Sequence, residues 1–316
     1  VIDFRYHLVS LIAVFLAVAL GILIGTTALN DPIAANIEGQ VDALEQDKRS
    51  LEDRTQRLQA ELDTSDAFAT AVAPVLVEGA LANSSVLLIL GNEDVLPEQV
   101  DQVSALIVEA GGTVSGTISL SPEYSDPSTA ASLQNYVTGP GMPPTGVELP
   151  ETDDAGELVA GLLSQVLMIP SGGPAPDGAA ASSVLAGLVA LDVLASEGDS
   201  VAPADYAVVL TSGAFTGDDA AERNATLVEL VSALDAAGSG AVVAGDVTSA
   251  AETGLIGVLR ADPNLSAAVS TVDNLGSAAG RISTILALGG EAAGTSGRYG
   301  TGEDAQPVPP VTAATP

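Results

Sequence analysis

The chain opens with its longest apolar run. Leu8 to Leu29 reads LVSLIAVFLAVALGILIGTTAL, twenty-two residues without a charge. At 1.5 Å per residue a helix of this length crosses the roughly 30 Å hydrocarbon layer of a bilayer. Cleaved signal sequences carry shorter apolar cores, about 7 to 15 residues, so the pattern predicts a retained anchor over residues 1–30. Arg5 precedes the run and Asp31, Glu38 and Asp42 follow it. Under the positive-inside rule this places the N-terminus in the cytoplasm and the remainder outside, a single-pass protein of the cell membrane.

After Pro32, whose ring suits a first helical turn, apolar residues recur every seven positions. Ile37, Leu44, Leu51 and Leu58 occupy one heptad position, and Val41, Lys48, Thr55 and Leu62 follow four residues after each. Leucine at d with a β-branched residue at one a position is the pattern of a parallel two-stranded coiled coil, so residues 31–66 are expected to form a homodimer through Ile37, Val41, Leu44, Leu51, Leu58 and Leu62. Asp47 at g opposite Glu52 at e of the partner weakens that seam. A single amphipathic stalk packed on its own globular domain is the competing reading.

Beyond residue 66 the period changes. Short apolar runs at Val86–Leu90, Thr113–Leu120, Ala207–Leu210, Ala241–Gly245 and Val269–Val272 alternate with segments of helical spacing, such as Val103, Leu106, Ile107 and Ala110. Asp219 and Glu222 read as a capping box opening a helix through Leu227, Leu230, Val231 and Leu234, closed by Gly238. Unbroken apolar strands between helices predict a three-layer α/β domain over 67–293 with about five strands in a mostly parallel sheet covered on both faces. Pro- and Gly-rich loops fall at 139–150 and 170–178. From Gly294 a Pro-rich tail, 294–316, is expected to be extended or disordered and to add nothing to the core.

Composition closes most enzymatic routes. The 316 residues contain no Cys and no Trp, one His, two Met and nine aromatics. Thiolate chemistry, disulfides and zinc fingers are out, and one imidazole, His7 beside the apolar run, supports neither a relay in the soluble part nor a multi-histidine metal site. The net charge is -32, and residues 67–316 hold thirty acids against Arg223, Arg260, Arg281 and Arg298. A surface so acidic repels nucleic acid and anionic lipid, so no nucleic acid is expected as a partner.

In open α/β sheets ligands sit beyond the carboxyl ends of the strands, which singles out the turns Gly91-Asn92-Glu93-Asp94, Thr211-Ser212-Gly213 and Gly245-Asp246. Their glycines match neither a dinucleotide fingerprint nor a P-loop, and no lysine accompanies them. Glu93, Asp94, Asp153 and Asp154 are acids of the kind that bind Ca or Mg weakly, though adjacent loop acids are usually only solvated. Asn83-Ser84-Ser85 matches a glycosylation acceptor. No catalytic, cofactor-binding or metal residue is assigned, and the chain is expected not to be an enzyme.

Three stretches, DFRYHLVSLIAVFLAVALGILIGT near the start, AAVSTVDNLGSAAGRISTILAL over 267–288 and RYGTGEDAQPVPP over 298–310, resemble the actinobacterial family named after the mycobacterial copper transport protein MctB. The resemblance covers the whole chain and is most specific at the N-terminal block. It implies a cell-envelope protein acting in copper transport, efflux or homeostasis, and copper enters on that ground alone. Other family members resemble partners of cytoplasmic and cell-wall division factors, which implies instead a non-catalytic envelope scaffold with a protein partner. The residues themselves do not describe a pore: nine aromatics cannot furnish two girdles, and the strands look buried and parallel. Copper selection calls for Cys, His or Met, and His7, Met142 and Met168 do not cluster in the sequence.

Overall fold

The computed structural model describes residues 4–197 and 201–309, with side chains described outside 26–38 and 196–197. Two compact units result, Val1–Ser65 and Asp66–Pro316. The first consists of most of a single helix, α1 (Phe4–Val77), which runs without a break through Pro32. The sequence expectation of a fresh helix start at Pro32 is therefore corrected: the flanking apolar and charged segments are both strong enough in helical character for the chain to continue through the one missing N–H. Within α1, Phe4–Gly25 is long and apolar enough to cross a membrane, with a mean hydropathy of 2.9 and none of it buried.

The second unit alternates strands and helices. In chain order, β1 (Ser85–Leu90), α2 (Pro97–Glu109) and β2 (Thr113–Leu120) are followed by α3 (Ala130–Val137), α4 (Ala155–Leu167) and α5 (Gly178–Ala190). Then come β3 (Leu194–Glu197), β4 (Tyr206–Thr211), α6 (Ala220–Ala237), β5 (Ala241–Gly245), α7 (Leu255–Ala261), α8 (Pro263–Ala268), β6 (Ser270–Val272), α9 (Ala278–Glu291) and β7 (Arg298–Tyr299). The strands form one open sheet in the order β3-β2-β1-β4-β5-β6-β7. Every pairing is parallel except β2 with the edge strand β3.

Strand alternation divides the core in two. Leu87 and Ile89 of β1, Val209 of β4 and Val243 of β5 point to one face, under α4, α5, α6 and α7. Val86, Leu88 and Leu90, with Val208, Leu210, Val242 and Ala244, point to the other, under α2, α9 and the end of α1 at Ala73 and Val77. Each strand thus has apolar residues on both faces, which explains its unbroken hydrophobic run. Register between the halves is pinned where β1 and β4 start: Asp205 Oδ2 accepts from the Ser85 N–H at 2.8 Å and hydroxyl at 2.7 Å, while the Asp205 N–H donates to Ser85 Oγ. Asp66 accepts at 2.6 Å from the Ala278 N–H in the first turn of α9 and faces Arg281 at 3.7 Å.

Seven strands replace the five expected. The run Leu194–Glu197 is too short and mixed to signal a strand, and Arg298–Tyr299 lies in the stretch read as an inert tail. That tail reading is corrected too: Tyr299 is 2 % exposed in the core, and residues 310–316 lie outside the described residues. What draws the segment in is Asp273 at the end of β6. Its carboxylate accepts from the N–H groups of Thr301 at 2.6 Å and Gly302 at 3.1 Å and pairs with Arg260 at 2.6 Å. Arg260 in turn donates to the Tyr299 carbonyl at 2.9 Å. Burial pushes the Asp273 carboxyl up, but the Thr301 N–H and the Arg260 guanidinium outweigh it and hold the group below its ordinary range. The predicted capping box is corrected as well. Asp219 makes no side-chain cap, because its carboxylate is taken by Arg223 Nε one turn on at 2.7 Å.

Asp273→Ala leaves the buried Arg260 uncompensated, so equilibrium unfolding in urea at neutral pH should show a loss of about 3–5 kcal/mol. Because the Asp273 pKa is depressed, the wild-type contribution is complete above the ordinary carboxylate range and fades as pH falls below it. The gap between the two proteins should therefore narrow in acid; a gap that stays constant down to pH 2 would show that the ion pair is not its origin.

Candidate functional site

The strand order reverses direction between β1 and β4, since the chain proceeds from β1 outward to β2 and β3 and then returns to β4. Loops leaving the carboxyl ends of β1 and β4 diverge to opposite faces, which opens a crevice at that point. A cavity of about 230 Å³ occupies it. The three turns singled out in the sequence meet here. Asn92 donates at 2.6 Å to the Ser212 carbonyl, and Asp246 Oδ1 accepts from the N–H groups of Gly213 at 3.0 Å and Ser249 at 2.8 Å. Gly213 holds φ +72, a left-handed turn that suits glycine, and this aims its N–H at Asp246. Asn92 Oδ1 is buried without a hydrogen-bond partner.

One wall was not foreseen in the sequence. Arg223 of α6 reaches across to Asp126 at 2.8 Å, pairs with Asp219 at 2.7 Å and sits 5.8 Å from the centre of the Phe215 ring. Its hydrogen bond to Asp219 holds the guanidinium even further above its ordinary pKa. The Ser128 side chain and N–H, with Arg223 behind them, hold Asp126 below its ordinary value. The available signal was that Arg223 is one of only four basic residues beyond position 66.

With its charge met by two carboxylates, Arg223 offers little to an anion, and Glu93 and Asp94 at the exposed mouth repel one. Two of the lining hydroxyls are committed: Ser212 donates to Asp246, and Ser121 to the Asp192 carbonyl at 2.5 Å. The crevice is therefore suited to a small uncharged polar group.

The other singled-out residues are elsewhere. Asp154 caps α4, accepting from the N–H groups of Gly156 at 2.8 Å and Glu157 at 3.2 Å, while Asp153 is exposed. Asn83 occupies a left-handed turn with φ 61. Met168 is fully buried with its methyl end packed toward Gly238, and Met142 lies against the same core. Among the described residues no three His, Cys, Asp or Glu groups converge to hold a metal ion. Val41, Leu44, Leu51, Leu58 and Leu62 stand on α1, between 46 % and 68 % exposed, and the side chain of Ile37 lies outside those described.

These features define an α/β protein with an apolar N-terminal helix and an open, mostly parallel sheet. The family model described as "Copper transport outer membrane protein, MctB" matches residues 1–310, and the chain belongs to that family. It is similar to proteins named copper transporter MctB. Those of Mycobacterium tuberculosis and Mycobacterium bovis are each 31 % identical over 315 residues, spanning 97 % of this chain and 98 % of theirs. That of Mycobacterium leprae is 30 % identical over the same lengths.

Replacing Asp246 by Ala strands the Gly213 N–H and should cost about 1–3 kcal/mol, while the Ser249 N–H keeps the Asp246 carbonyl at 3.2 Å. Hydrogen exchange should then accelerate at Gly213 while Glu93→Gln leaves it unchanged. Equal protection in the Asp246→Ala variant would mean that the turns are held by something else.

Proposed function

We propose that the protein serves copper transport in the cell envelope as a membrane-anchored component of an assembly, and that its own soluble unit is not the ligand that carries the ion. Family membership and the relatives named copper transporters support the copper role. The placement of the soft donors supports the second half. Of the one His and two Met in the chain, His7 lies in the apolar part of α1, Met168 is buried in the core of the sheet unit and Met142 packs against that core. Copper(I) prefers thiolate, thioether and imidazole ligands, and this arrangement supplies no cluster of them.

In this reading the span Phe4–Gly25 crosses the membrane with Arg5 on the cytoplasmic side, and the sheet unit lies outside. Two copies pair in parallel through Val41, Leu44, Leu51, Leu58, Leu62 and Ile37, as a leucine-rich heptad face demands of a helix that would otherwise leave it in water. Each leucine buried at the seam contributes roughly 1.5–3 kcal/mol, and side-by-side anchors raise the effective concentration of the two strands. The competing scaffold role for wall or division proteins uses the same architecture, with the copper step assigned to a partner.

Two measurements test this. In sedimentation of the full chain in detergent, the wild type should be a dimer and Leu51→Asp a monomer with unchanged circular dichroism; a Leu51→Asp dimer would place the contact in the sheet unit. In competition with a Cu(I) chelator, the full chain should hold copper no better than an unrelated acidic protein. A stoichiometric sub-micromolar site would overturn the indirect role.

A further inference from the structure

A second cavity, of about 320 Å³, lies apart from the crevice proper, between the segment around Tyr124, the start of α4 and the middle of α6. Asp126, Asp153, Asp154, Glu222 and Glu229 all line it. In a chain this acidic such a cluster signifies little by itself, and two of these groups are spoken for: Asp126 pairs with Arg223, and Asp154 caps α4. Glu229 is different. Its Oε2 is buried with no hydrogen-bond partner, and it occupies the space that a Cβ on Gly156 would need. Tyr124, 1 % exposed, lines the same cavity, and its hydroxyl also has no partner.

A packing role explains neither oxygen. Leucine or methionine at 229 and phenylalanine at 124 would fill the same space without the cost of an unsatisfied polar atom. Neither oxygen is open to the cavity as the side chains stand, so a donor meets them once the two side chains turn toward it; two unpartnered oxygens beside one acidic cavity call for such a donor. A bare metal ion does not fit, because no three carboxylates among the described residues converge to ligate one. An anion is repelled by every wall. A primary ammonium brings three N–H donors and a positive charge on an apolar stem that helps to fill the space.

We propose that this cavity binds a primary ammonium group, with the Glu229 carboxylate and the Tyr124 hydroxyl as its acceptors. A small free amine and the lysine side chain of a partner protein present the same chemistry. Burial first, and then Asp154 and Glu157 of α4, push the empty Glu229 carboxyl up to about 7, and burial with Glu229 beside it pushes the Tyr124 hydroxyl up. The other charged groups on the cavity wall are Asp126 with its partner Arg223, Asp153 and Glu222. Binding the ammonium requires the carboxylate, so the proton on Glu229 leaves to solvent as the cation enters. Affinity accordingly rises with pH and is about tenfold higher at pH 8 than at pH 6.

Calorimetric titration of the full chain in detergent with 1,5-diaminopentane tests this, in buffers of differing ionisation enthalpy. A parallel titration uses a lysine-containing peptide, and its bis-quaternary trimethylammonium analogue serves as the control for charge without N–H donors. The expected result is one site per chain, proton release at pH 6, and a tenfold pH dependence that Glu229→Gln abolishes along with at least tenfold in affinity. Tyr124→Phe should weaken binding severalfold and leave the pH dependence intact. Binding of the peptide without the diamine assigns the ammonium to a protein partner; binding of the diamine assigns it to a small molecule. The proposal is overturned by no binding of either, by equal binding of the quaternary analogue, or by Glu229→Gln binding as wild type does. Glu229→Gln removes a half-buried charge crowded by Asp154 and Glu157, so its melting temperature should equal or exceed that of wild type at pH 8, which verifies that the variant is folded.

Discussion

Everything in the sheet unit depends on covering β1 and β4 from both sides. These adjacent central strands carry Val86–Leu90 and Tyr206–Leu210, two unbroken runs of five residues at or below 7 % exposure. Alternation sends them to opposite faces, so neither face can be left to water and helices must pack on each. Because right-handed crossovers between parallel strands deliver a helix to one face or the other according to direction, covering both requires the chain to reverse its progress across the sheet. The crevice between β1 and β4 is the geometric consequence of that reversal. It would exist whether or not the protein used it, which is why Asn92, Asp246 and Arg223 are better understood first as the ties that close it.

Excess acid shapes what the few bases do. Arg223, Arg260 and Arg281 each join segments distant in sequence: α6 to Asp126, β6 and Asp273 to the Tyr299 carbonyl, and the start of α9 to Asp66. Arg281 is 7 % exposed and also donates to the Leu275 and Gly276 carbonyls. Each of these three meets a carboxylate, with thirty acids available beyond position 66, and what selects its place is the planar fork of donors meeting carbonyls as well as carboxylates. Positive charge in the sheet unit is a structural resource, and the surface of that unit is left predominantly acidic.

The same facts explain what could be read from the sequence. The five strands of the parallel core announced themselves because burial on both faces demands apolar runs, and the helices followed from their period. β3 and β7 did not, since an edge strand of two to four residues is fixed by its neighbour's free backbone groups and, for β7, by Asp273 some 25 residues earlier in the chain; no local pattern encodes such a contact. Asp219 and Glu222 had the spacing of a cap, and a tertiary salt bridge took the carboxylate. Pro32 was a plausible start signal and was overridden by helical character on both sides. The turns of the crevice were legible through the rule of strand ends. Arg223, Tyr124 and Glu229 were not, because their meaning lies in which other segments they face.

Copper remains the point at which kinship and chemistry pull apart. A family described by copper transport has here a member whose sulfur atoms are one methionine set in its core and one packed against it, and whose single imidazole lies in an apolar helix. Among the described residues the sheet is open, with β3 and β7 as edges, and one helix is long and apolar enough to cross a membrane; neither encloses a path. Among the described residues, α1 leaves apolar side chains uncovered between Phe4 and Ile24 and again at Val41, Leu44, Leu51, Leu58 and Leu62. The proposed assembly along α1 covers both stretches, and it is that assembly, rather than a donor set in one chain, to which the copper role is assigned.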